Sequence, residues 1–102
     1  MQHDLFVNPD RAARAIYPLV VVLQAGVVGG DTRIVAPLTT TAIVPNPPVQ
    51  VLPLVTHDER DYVVIMRLIS ILPVRQLGQS VGSIASHGDD ISRALDFLFS
   101  GI

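Results

Sequence analysis

Three imidazoles, His3, His57 and His87, are the first candidates for chemistry in this chain of 102 residues. Histidine changes charge near neutral pH and is the commonest metal ligand. The three are far apart and match no metal-ligand spacing. His57 falls in a charged turn and His87 in the first turn of a helix, so surface or capping roles are expected. Residues 57–61, HDERD, set an imidazole, three acids and an arginine side by side. General acid–base catalysis could use such a set, but the stretch reads more simply as the solvated tip of a hairpin. Gly26-Val27-Val28-Gly29-Gly30 has neither the GxGxxG pattern nor the lysine of a phosphate loop. It reads as a turn whose two valines would be wasted unless they touch something. Gly78-Gln79-Ser80-Val81-Gly82 spells Gly-x-Ser-x-Gly, but the helix is expected only from about residue 87, so the serine lacks the sharp strand-to-helix turn of a nucleophile elbow and is not read as one. With no cysteine, disulfides, thiolate nucleophiles and thiolate metal sites are excluded. Nothing in this inventory supports an enzyme, a metal or a cofactor.

The elements that would position these residues are mostly short strands. Residues 3–7 read as a strand stopped by Asn8-Pro9, and residues 10–16 as a helical turn or loop. Residues 17–24, YPLVVVLQ, are β-branched throughout their centre and bounded by turns, the mark of a buried strand. Residues 33–37 make another strand that Pro37 should bend or place at an edge. Residues 39–44 carry strand propensity, and Pro45-Asn46-Pro47-Pro48 makes a surface loop. Residues 49–56 and 62–66 flank the charged turn as a hairpin. Residues 68–77 form a further strand with Pro73 inside it.

The period then changes. Ile91, Ala94, Leu95 and Leu98 fall on one helical face, predicting a helix over about 87–99. Ser86 and Asp89 fit a capping box at its start, and Asp89 and Asp90 suit the positive end of the helix dipole. Phe99 lies at the margin of the apolar face and is assigned to the core. Phe97 points to the side of Arg93, either partly exposed or in an interface. Gly101 falls just past the helix, where a left-handed backbone is cheap, and Ile102 lies beyond the last packed turn.

Composition limits the function classes. The chain is 49% apolar and 16% charged, with mean hydropathy +0.47. That is too apolar for disorder, and the excess apolar surface predicts a homodimer. The net charge of −2 gives no general attraction to nucleic acid. All seven basic residues are arginine, which suits paired or stacked interface positions. The longest apolar stretch, residues 15–23, contains Pro18 and falls short of the ~20 residues of a membrane helix. The opening MQHDLF carries an acid and no basic lead, unlike a secretory signal. One domain over residues 1–102, soluble and cytoplasmic, is expected.

At this point the sequence resembles a family, the CcdB toxins of bacterial toxin–antitoxin modules. The resemblance covers essentially the whole chain. It is carried by Met1-Gln2, by Tyr17 through Gln24, by Val27-Val28, by Arg33 through Val35 with Pro37-Leu38, and by Pro53-Leu54-Val55. Leu72-Pro73-Val74, Leu77-Gly78, Asp90-Ile91, Ala94 and the tail Phe99-Ser100-Gly101-Ile102 complete it, and the tail is the most specific part. The resemblance implies a homodimer with an SH3-like, mainly β fold and a C-terminal α-helix, the fold shared with PemK toxins. It implies a toxin that binds the DNA gyrase A subunit, traps the gyrase–DNA cleavage complex, and is neutralised by a CcdA-like antitoxin that co-represses the operon. By position it implies gyrase contacts at Ile102, Gly101, Ser100, Asp96, Val27, Val28, Gln2, His3 and Phe6. The family's best-known member has tryptophan where this chain has Ser100, which removes a ring able to stack on an arginine, an interaction worth about 0.5–2 kcal/mol.

Two other readings remain open on the sequence. One is a MazF/PemK-like endoribonuclease on the same fold, for which Arg33, His57 and Arg67 are the candidate groove residues. The other is a dimer that still binds its antitoxin but no longer poisons gyrase, for which Ser100 is the motive.

Overall fold

The computed structural model describes residues 1–24 and 30–100. Its centre is β2, Leu19–Val22, flanked by β1, Asp4–Val7, and by the long β3, Thr32–Thr40. All four residues of β2 are buried, and successive side chains of a strand point to opposite faces. Leu19 and Val21 therefore enter one apolar cluster while Val20 and Val22 enter a second. A strand covered on both faces needs no polar alternation, which is why LVVV reads as a continuous apolar run.

Strand β4, Leu54–His57, and β5, Arg60–Val64, form the expected hairpin, but its first strand is shorter than expected, because residues 49–52 turn, with the Val51 and Leu52 amides both donating to the Pro48 carbonyl. Asp58 and Glu59 make its two-residue tip, and both have positive φ, 54° and 65°. That is the backbone of a hairpin turn whose twist matches its strands. Strand β6, Ser70–Pro73, and β7, Gly82–Ser83, complete the sheet, which runs β4-β5-β3-β2-β1-β7 with β6 paired to β3. The result is mainly β, a nearly closed barrel-like antiparallel sheet. Among the described residues a single α-helix, α1, spans Gly88–Ser100 and covers its larger core. Ile91 and Ala94 are buried in that core, and Leu95 and Leu98 pack at its border. Asp89 and Asp90 occupy the first turn, as the dipole favours.

Four further expectations are corrected. Pro37 neither bends nor ends a strand, because β3 runs through it from residue 32 to 40. On one side β3 pairs with β6 over residues 32–35 and then with β5 over residues 38–40. The Pro37 carbonyl, on that side, accepts from the Ile65 N–H at 2.9 Å. The missing donor of the proline thus falls where β3 changes partners and costs no ladder bond. Residues 41–44 turn instead of extending, with the Ile43 and Val44 amides both donating to the Thr40 carbonyl. The strand expected over 68–77 shrinks to β6, held between single 3₁₀ turns at Met66–Leu68 and Val74–Gln76. The Ser86–Asp89 capping box does not form. Ser86 sits inside a 3₁₀ turn, Ala85–His87, and Ser83 Oγ instead accepts the Ala85 N–H at 3.1 Å.

Candidate interaction surface

The end of α1 builds an apolar shelf. Phe99 is 60% exposed, so its assignment to the core is wrong by one step around the helix. Its ring lines a shallow cavity of about 270 Å³ with Leu23, Gln24, Ile34, Ile69 and Leu95. The shelf continues along the sheet, where Ile34 of β3 faces Ile71 of β6 in register. Both are exposed, at 40% and 66%. Directly opposed side chains on one face of a sheet touch, so the pair extends the Phe99 cavity into one apolar strip. On the opposite flank of α1, Phe97 is also exposed and lines a second hollow with Val49, Asp90 and Arg93. Asp90 and Arg93 are 3.5 Å apart there.

The candidate contact residues are partly brought together. Asp96 and Ser100 are exposed and, four positions apart, neighbour each other on the face of α1 between Phe97 and Phe99. Gln2 lies on the same side of the molecule as Leu23 and Gln24, the stem that precedes residues 25–29, because its Nε2 donates to the Leu23 carbonyl at 3.2 Å. Leu23 and Gln24, that stem, line the Phe99 cavity, and Gln24 Oε1 accepts the Ile34 N–H. The N-terminal residues, the loop stem and the end of the helix therefore meet at one end of the barrel. Val27, Val28, Gly101 and Ile102 lie outside the described residues.

Two candidates take other places. Phe6 is 3% exposed and packs with Val20, Val22, Val35 and Leu77 in the second core cluster, so its ring offers no contact surface in this chain. His3 is tied at both backbone groups: its N–H donates to the Val22 carbonyl at 2.7 Å and its carbonyl accepts from Ile84 at 2.9 Å. Its φ is 68°, a conformation that costs a non-glycine residue energy. Its ring rests on Gly88, where a Cβ would come within 2.9 Å of the imidazole Cε1. Burial lowers the His3 pKa from its ordinary 6.5, since a desolvated imidazole resists taking a proton.

Arg33, His57 and Arg67 have three separate sets of neighbours. Arg33 donates to Met1 Sδ and to the Gly30 and Thr32 carbonyls. His57 lies against Gly82, and Arg67 is exposed in the 66–68 turn. Among the described residues, no group of three or more histidine, aspartate or glutamate side chains is placed to hold a metal. No helix among them is long and apolar enough to cross a membrane.

The sequence signal that could have found the shelf was weak. Phe99 falls on the margin of the apolar helical face, and a margin residue is core or rim according to what packs beside it. The Ile34–Ile71 pair depends on register, which neither strand announces alone.

A nearly closed, barrel-like antiparallel sheet with one helix over its larger core, and an apolar strip at that helix's tip, defines a small mainly β domain with a C-terminal helix. The sequence model described as "CcdB protein" matches residues 2–101. The chain belongs to the CcdB family, and it is a toxin of the toxin–antitoxin type. No curated protein sequence matches the chain.

Proposed function

We propose that this chain acts by binding, without chemistry of its own, to the DNA gyrase A subunit, and that it holds gyrase on cleaved DNA. The contact face is the end of α1 with Asp96, Ser100, Gly101 and Ile102, together with Gln2 and the Val27-Val28 loop. The observation that carries the reading is the meeting of Gln2, the Leu23-Gln24 loop stem and the Phe99 ring at one end of the barrel. Residues at opposite ends of the sequence converge there on an apolar shelf, and exposed aromatic rings on such a shelf are typical anchors of protein–protein contacts. His3 supports this face from beneath, through its backbone ties to β2 and to Ile84. Phe99 places an aromatic ring next to Ser100, at the position neighbouring the tryptophan of the best-known family member. The strip along Ile34 and Ile71 serves a second copy, making the active species a cytoplasmic homodimer, and a CcdA-like antitoxin covers the toxin through a segment that folds on binding.

The test is deletion of Ser100-Gly101-Ile102. Thermal melting and antitoxin affinity should change little, because these residues follow the last packed turn, while gyrase–DNA cleavage complexes disappear. Cleavage complexes at full strength with the truncated protein would overturn the reading.

A further inference from the structure

The sheet is nearly closed, and the gap lies between β4 at one end of its strand order and β7 at the other. An open edge strand presents unpaired N–H groups that invite another chain. Here side chains close the gap. Thr56 lies opposite Asp61 in the β4–β5 ladder, one residue inside the hairpin's closing pair His57–Arg60, so its N–H faces away from β5. That N–H donates to Nε2 of His87 at 3.2 Å. Next to it the His57 ring lies against Gly82 of β7, so close that a Cβ there would be 2.2 Å from the imidazole Cε1. His3 rests on Gly88, the first residue of α1. His57 and His3 thus pack against the two ends of the segment 82–88, and His87, within that segment, reaches out to β4.

We propose that this seam is a proton-operated latch: neutral His87 closes it by accepting the Thr56 amide, and protonated His87 opens it. An imidazolium has two N–H donors and no lone pair, so protonation turns an acceptor facing a donor into a donor facing a donor. His87 also immediately precedes α1, and His3 touches its first residue, where the helix dipole disfavours positive charge. The charged groups around the seam do not restore the bond. On the hairpin side stand Asp58, Glu59, Arg60 and Asp61, with the Asp61 carboxylate accepting the Thr56 hydroxyl at 3.0 Å. On the helix side stand Asp89 and Asp90, the latter paired with Arg93, and Asp4 neighbours His3 in β1. None of these carboxylates replaces the lone pair that the Thr56 N–H loses. Acid therefore frees the outer edge of β4 and loosens the start of the helix while the β4–β5 ladder itself stays paired.

The experiment is amide hydrogen exchange by NMR on the full chain, with the His87 ring nitrogens followed through the same titration, between about pH 8 and pH 5. The reference is the Val64 amide, which donates to the Pro53 carbonyl at 2.9 Å on the inner side of β4. As His87 takes its proton, the protection factor of Thr56 should fall about tenfold relative to that of Val64. His87→Gln keeps an acceptor at similar reach and cannot titrate, so it should hold Thr56 protected throughout. His87→Phe should leave Thr56 unprotected at both ends of the range. Thr56 protection that ignores the His87 titration, or that falls equally in His87→Gln, overturns the proposal.

Discussion

Ile34 and Ile71 face each other across β3 and β6, and both side chains are left to solvent. A β-branched pair in register buries each side chain's flank against the other, and the outer surface of the pair still needs cover. Together with Phe99 it forms an apolar strip that the described residues leave open at the helix end.

A charge in the middle of that strip should therefore separate two copies. Ile71→Glu is expected to give a folded monomer, with dimer affinity weakened at least about a hundredfold, since an unpaired buried carboxylate costs several kcal/mol. Sedimentation velocity over a micromolar concentration series checks it, and circular dichroism confirms the fold. An unchanged dimer would move the interface away from β6.

Position around α1 should decide what a truncation costs. Ile91, 2% exposed, should lose about 2–5 kcal/mol of stability as Ile91→Ala. Phe99→Ala should stay within about 0.5 kcal/mol of the parent yet weaken binding to the gyrase A subunit. Denaturant unfolding and a gyrase A binding titration measured on both variants separate the two roles. A Phe99→Ala protein as destabilised as Ile91→Ala would return Phe99 to the core.

Acid should weaken the fold through His3. Its folded pKa lies below the ordinary 6.5 because of burial, so the unfolded chain takes the proton first. The stability that the neutral ring supports is complete above pH 6.5 and is lost as pH falls from there through the lowered folded value. Urea midpoints measured from pH 8 to pH 5 should decline in the parent, and less steeply in His3→Gln (about this window histidine titrates). Identical slopes in the two proteins would remove His3 from the account.

The elements that sequence revealed best are those whose burial is local. The apolar run of β2 needs two covered faces and nothing else, the Asp58-Glu59 tip follows from the charged break between two β-rich runs, and the helix follows from the spacing of Ile91, Ala94, Leu95 and Leu98. What stayed hidden depends on partners far along the chain. Pro37 looks like a strand breaker until β3 is seen to change neighbours beside it. Phe6 and Phe99 look alike as aromatic residues, yet one meets Val20 and Val35 while the other meets an open cavity. The three histidines gave no spacing signal because the seam they share, where His3 and His57 meet the segment 82–88 and His87 reaches from it to Thr56, is assembled only by the tertiary fold.

The pairing of Leu5 with Gly82 also has a kinetic side. It joins the first strand to the last, so all the other strands lie within the loop that this contact closes and only the segment ending in α1 lies outside it. Such a contact is entropically dear to form early, and sheets dominated by non-local pairing fold slowly, on a scale of about milliseconds to seconds. The β4–β5 hairpin can form on its own as the chain emerges from the ribosome. The β1–β7 pair must wait until residue 82 has been synthesised, and until then the outer edge of β1 stays open to misassembly with a neighbouring nascent chain.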